Sequence, residues 1–199
     1  MCIAKSKGGL GFRDFETFND AMLAKQAWRL LENPDSLCAR VLKGRYYPNG
    51  DFLTVGCPAG ASKTWQAIIE GREMLKSGLI WRVGDGTTTE VWHDQCIQGT
   101  CSMKPMGARS AISVQLVSDL IDPMSNQWNS NLIEVVFYPP DVDAIPHMPR
   151  PQRAGPDIWA WAWEKSGLFS VRSAYRETME RRVRESVQVE SSNGEGETW

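Results

Sequence analysis

The chain has 199 residues, 42% of them hydrophobic and 23% charged, with a formal net charge of −2. Those figures belong to a soluble globular chain rather than a disordered one, and the lack of any 18-residue apolar run excludes a membrane-spanning helix. Five irregularly spaced cysteines (Cys2, Cys38, Cys57, Cys96 and Cys101) and a start without an apolar leader exclude a secreted disulfide framework; an intracellular, reducing compartment is expected, nucleus and cytoplasm both remaining open.

Leu23, Ala24, Ala27, Trp28, Leu30 and Leu31 crowd one side of the segment from Thr17 to Asn33, opposite Lys25, Arg29 and Glu32. That periodicity predicts an amphipathic helix, with Thr17 and Asp20 at capping-box spacing. Asn33-Pro34 reads as the start of a second helix, carrying Leu37, Val41 and Leu42 and stopping near Gly44. Ser62 is the expected cap of a third helix that runs to about Ser77, before Gly78.

Leu79 to Val83 and Thr87 to Trp92 are β-prone runs around Gly84-Asp85-Gly86 and predict a central hairpin. Val114 to Ile121 reads as a short helix, and Trp128-Asn129-Ser130 opens another that Pro139-Pro140 ends. The prolines at 146, 149, 151 and 156 mark an extended linker. Alternation over Ile158 to Trp163 favours a strand, returning through Leu168 to Val171 as a Trp-rich hairpin, with Ser173 capping a closing helix. The expected class is α+β: N-terminal helices, a central β-hairpin, further short helices, then the Trp-rich hairpin plus helix. The expected organisation is a connector region over 1–145, a linker over 146–156, the start of a further domain over 157–184 and a disordered tail over 185–199.

No catalytic constellation is legible. Two-metal chemistry needs three or four converging carboxylates, yet the sequence has no Asp-Asp pair, and Asp141-Val142-Asp143 reads as a solvated turn. His93, Cys96 and Cys101 have no nearby fourth ligand for zinc, so no metal and no cofactor is expected. Gly84-Asp85-Gly86-Thr87 lacks the spacing and the Lys of a phosphate-binding Walker loop. Neither His93 nor His147 stands in a nucleophile context. An enzyme is not expected.

The order of several segments is more telling. Gly8-Gly9-Leu10-Gly11-Phe12-Arg13, Phe18-Asn19 and Ala21-Met22-Leu23-Ala24-Lys25-Gln26-Ala27-Trp28-Arg29-Leu30 are followed by Lys43-Gly44-Arg45-Tyr46-Tyr47-Pro48. Next come Thr64-Trp65, Gly71-Arg72, Gly78 to Gly86 and Val91-Trp92-His93-Asp94. Val117 to Asp122, Trp128-Asn129 and Trp163 to Tyr175 complete the series. The series, over roughly residues 5–180, resembles plant long-interspersed-element-type (LINE, non-LTR) retrotransposon proteins. The resemblance implies a segment downstream of the reverse transcriptase core that runs, at 157–184 with its Phe169–Tyr175 motif, into the truncated start of a Cys/His-rich zinc-binding domain, often followed by an RNase H region. It places the polymerase carboxylates before residue 1 and the zinc ligands beyond Trp199. Gln95-Cys96-Ile97 after Asp94 departs from the family's usual Pro-Trp-hydrophobic continuation, and the run from Trp159 to Trp163 is longer than the family's usual strand.

The implied function is a non-catalytic fragment with at most weak RNA or DNA binding. Residues 1–50 carry eight Lys/Arg against five Asp/Glu, while the remainder carries 14 against 19. The candidate contacts are Lys25, Arg29, Arg40, Lys43, Arg45 and Arg82, with Trp81 and Trp92 available for base stacking. The alternative is a protein-interaction module displaying Trp159, Trp161 and Trp163 at an exposed edge.

Overall fold

The computed structural model describes residues 14–97, 103–148 and 155–193. The glycine-rich segment 8–13, Cys2, Cys101, most of the proline-rich stretch (149–154) and the end of the expected tail (194–199) lie outside them. The fold is mixed α+β and mostly helical, with six α-helices and two two-stranded antiparallel sheets among the described residues. The chain divides into two compact units, one of residues 1–78 with 168–199 and one of residues 79–167.

In the first unit, α1 (Phe15–Glu32) is capped by Asp14, whose carboxylate accepts the Thr17 amide at 2.8 Å. That bond, ahead of the others around it, holds the Asp14 carboxyl below its ordinary value. Thr17 is therefore the third helical residue and buried, where the sequence suggested a cap. Ala21, Ala24, Ala27 and Trp28 form the buried stripe. Small residues there let α3 (Lys63–Lys76) approach closely at Gly71. Ser62 caps α3 through the Trp65 amide at 3.2 Å, as the sequence predicts.

Between them lies α2 (Leu37–Tyr46), capped by Ser36 rather than Asn33. The Asn33-Pro34 signal falls one turn early because residues 34–36 form a turn first. Tyr46 and Tyr47 stack on Trp65 at 4.5 and 5.6 Å, with Phe52 edge-on. Buried Arg72 donates to the carbonyls of Phe52 (2.8 Å) and Val55 (2.6 Å), fixing the loop after α2. α6 (Val171–Asn193) starts three residues before expected, because Ser170 rather than Ser173 caps it, its hydroxyl accepting the Ser173 amide. It continues through 185–193, the part of the expected tail that is described. Trp28 stacks over Phe169 at 6.2 Å, Phe18 meets Tyr175 edge-on, and the Asp14 amide donates to the Tyr175 hydroxyl.

In the second unit, β1 (Leu79–Arg82) pairs antiparallel with β4 (Ile158–Trp161), in the register Leu79↔Trp161 and Trp81↔Trp159. Both expected hairpins are therefore corrected. The amides of Gly84, Gly86, Thr88 and Thr89 turn onto the Asp157 carboxylate, and that of Thr87 onto Asp85, rather than into a ladder with β1. Residues 168–170 form no strand; the Trp161 amide instead closes a tight turn on the Gly167 carbonyl at 2.8 Å. Gly167 takes φ +75°, and a Cβ there would meet the Arg82 guanidinium.

The rest of this unit is short elements. Val117–Leu120 is a 3-10 turn, not the expected helix, since the Asp119 carboxylate takes the Gln115 and Leu116 amides at 3.0 Å each. A small hairpin follows, β2 (Ile121–Asp122) with β3 (Gln127–Trp128). α4 (Ser130–Val136) opens where the sequence predicts, with the Asn129 side chain as its cap. Pro139-Pro140 opens α5 (Pro139–Ala144) in addition to closing α4, because prolines fit the first turn where no amide bond is lost. A 3-10 turn over Ile145–His147 occupies the start of the expected linker. Ile97, Val117, Ile133, Val136 and Phe137 are at the centre of the apolar core.

Candidate nucleic-acid interface

Each basic or aromatic candidate has a definite place. Lys25 is half-buried, its ammonium donating to the Phe169 carbonyl at 2.9 Å, so it ties α1 to the start of α6. Arg82 is half-buried and donates to the carbonyls of Ser166 (3.0 Å) and Lys165 (3.4 Å). Trp81 lies flat on Trp159 at 3.9 Å. Trp92 packs against the core, tilted over Phe137, with its indole N–H on the Val114 carbonyl at 2.6 Å. These four side chains are engaged in holding the fold.

Arg29, Arg40, Lys43 and Arg45 are exposed. Arg29 donates to a neutral partner, Gln26, at 3.1 Å. The Arg45 guanidinium sits 5.5 Å from the centre of the Tyr46 ring. Arg40 and Lys43, three apart on α2, share a face. The structure thus gathers four of the six candidate cations in the first unit with no carboxylate paired to them among the described residues.

In the Trp159 to Trp163 run Trp161 is buried, while Trp159 and Trp163 are half-buried. Trp161 is 1% exposed, Trp159 is stacked on Trp81, and Trp163 packs beside Ile80 and Ala160. His93 pairs with Glu90 at 3.2 Å, and Cys96 is buried. Burial, with the carboxylates of Asp94 and Asp157 adding to it, pushes the Cys96 thiol up to about 12. Among the described residues, no group of three His, Cys, Asp or Glu side chains is arranged to hold a metal ion, and no helix is long and apolar enough to cross a membrane.

Two features escape a reading of charge alone. The first is Asp157, 8% exposed, which gathers the loop after β1. One carboxylate oxygen accepts the amides of Gly84 (2.6 Å) and Gly86 (2.9 Å). The other accepts the amides and hydroxyls of Thr88 and Thr89, at 2.8–3.1 Å. Burial raises its pKa, but the donors from Gly84, Thr89, Gly86 and Thr88 outweigh it and hold the carboxyl below its ordinary value. The glycine- and threonine-rich loop is an anion cradle filled by a side chain of the same protein. Its string of small donors is the only sequence signal, and nothing local names the partner.

The second is a groove of about 580 Å³ between α1, the start of α2 and α3, with Leu23, Leu30 and Ile68 in its walls and Arg29 at its rim. No carboxylate is among the residues that line it. Arg45 lies seven residues on from Cys38, another rim residue, so it shares that helix face about 10 Å further along.

No family model matches the chain, and no solved structure matches it. The chain is 41% identical over 107 residues to the "Uncharacterized mitochondrial protein AtMg00310" of Arabidopsis thaliana, covering 53% of this chain and 70% of that protein. The chain belongs to the family of that protein. It is also 31% identical over 197 residues to the "Putative ribonuclease H protein At1g65750" of Arabidopsis thaliana, covering 88% of this chain. That match takes in 29% of the second relative, so the chain spans less than a third of its length.

Proposed function

We propose that this chain corresponds to a non-catalytic segment of a LINE-type retrotransposon protein, retaining a weak, sequence-tolerant contact with nucleic acid through its first unit. The observation that carries the reading is the alignment of 88% of the chain with a limited part of a much longer relative. The motif order from Phe18-Asn19 to Tyr175 supports the same placement. The exposed cations Arg29, Arg40, Lys43 and Arg45 supply the electrostatics. With the indoles of Trp81 and Trp92 packed into the fold, the contact is to phosphate rather than to stacked bases.

Fluorescence anisotropy with a labelled single strand tests this. Binding is expected at low salt, weakening steeply as salt rises. The Arg40→Ala/Lys43→Ala variant should lower the slope of log K against log salt by about 1.4, or about 0.7 per lost phosphate contact on a single strand. No binding at the lowest salt, or an unchanged slope, refutes the phosphate-contact reading.

A protein-interaction role is the second reading, favoured by Leu37 and Val41, 77% and 59% exposed and four residues apart on α2. Sedimentation at rising concentration should then show self-association that Val41→Asp abolishes; a monomer throughout rejects that role for α2.

A further inference from the structure

We propose that the groove of the first unit is a binding site for a small ligand with an aliphatic body and a carboxylate head, the chemistry of a medium-chain fatty acid. This goes beyond the nucleic-acid reading, with which it shares Arg29 and Arg45 but neither Arg40 nor Lys43.

The space, about 580 Å³, is in the range of small-molecule sites, which are largely apolar with a few fixed polar groups. Leu23, Leu30, Ala67 and Ile68 line it with aliphatic carbon, and no aromatic ring contributes a surface for a nucleobase. Charge selects the head group. The polar residues that line it supply amide and hydroxyl groups and the Arg29 guanidinium, with no carboxylate among them. Arg29 bonds only the neutral Gln26 oxygen, which leaves guanidinium donors for an anion. Arg45, further along the face that carries Cys38, adds positive potential on that side. A ligand that buries an alkyl chain against Leu30 and Ile68 brings its carboxylate to Arg29. An alkylammonium of the same length would meet the cation instead.

Cys38 provides the readout, because it lines the groove and is an exposed free thiol. Cys57 is also exposed and free but lies outside the groove, so it is an internal control. Buried Cys96 should stay unlabelled in the folded protein. Alkylation by iodoacetamide is followed peptide by peptide in the intact chain, with decanoate, decylamine or adenosine monophosphate present. Decanoate at ten times its dissociation constant is expected to slow Cys38 labelling about tenfold and to leave Cys57 unchanged. Decylamine should give no protection. Arg29→Gln, on the surface, should weaken decanoate about fivefold, and Ala67→Phe, which fills the groove, should abolish protection. Equal slowing of Cys38 and Cys57, equal protection by decylamine, or no protection by decanoate at millimolar concentration overturns the proposal. Protection by adenosine monophosphate alone also overturns it, and would assign the groove to nucleotide binding.

Discussion

Replacing Asp157 by alanine is expected to cost about 3–5 kcal/mol, a loss carried by the loop after β1. The carboxylate accepts four backbone amides and two hydroxyls, and the amides of Gly84, Gly86 and Thr89 are buried with it. Alanine leaves those donors without an acceptor and without water. The check is residue-resolved hydrogen exchange. Protection at Gly84, Gly86, Thr88 and Thr89 should collapse in Asp157→Ala, and unchanged protection would remove the carboxylate from this account. Asp157→Asn should also be destabilised, since its NH2 group faces donors on at least one side. The acid dependence has a definite sign. The folded carboxyl titrates below its ordinary value, so its contribution is fully present above about pH 4 and is lost as pH falls through the folded pKa. Denaturant midpoints measured from pH 5 down to pH 2 should fall more steeply in the parent chain than in Asp157→Asn.

Gly71→Ala is expected to destabilise the first unit by about 2–4 kcal/mol, against the usual direction of such a change. Inside a helix, alanine is ordinarily favoured over glycine by about 1 kcal/mol. Here a Cβ would fall 2.5 Å from the Ala24 amide nitrogen and 2.7 Å from Leu23 Cβ, with the backbone of α1 as the obstacle. The helices would have to separate and give up the close packing around Ala21 and Ala24. Gly44→Ala in α2 is the matched control. Nothing stands within 4 Å of its added methyl group, so it should stabilise by about 0.5–1 kcal/mol. Opposite shifts in the two denaturant midpoints are the expected result, and a stabilising Gly71→Ala would show that the crossing tolerates a methyl group.

The longer helices were legible because their information is local, whereas the 3-10 turn over Val117–Leu120 and α5 were not. The stripe through Ala24, Ala27 and Trp28 predicts α1 from spacing alone, and Ser62 announces the start of α3 through its side chain. Strand pairing was not legible. Leu79 to Arg82 declares a strand, but its partner lies at the far end of the same compact unit, and the nearer β-prone run at Thr87 invites the wrong pairing. Gly84-Asp85-Gly86 looks like a hairpin turn for the same reason, since the carboxylate that organises it comes from position 157. Charge located the candidate interface only in part. Lys25 and Arg29 look equivalent in sequence, yet one bonds a main-chain carbonyl and the other stands in solvent beside a groove. Which cations are free depends on packing that spacing does not encode.

The order of synthesis bears on the nested arrangement of the two units. The first unit joins α1, α2 and α3 to α6, and the 89 residues between Gly78 and Leu168 must be translated before α6 can be made. At ordinary elongation rates that takes roughly 5–20 s. Throughout that interval Trp28 and Phe18 lack the Phe169 and Tyr175 rings that cover them in the finished protein. A nascent chain with such a face exposed is prone to non-native association. No single proteolytic cut or premature stop codon can release the first unit whole.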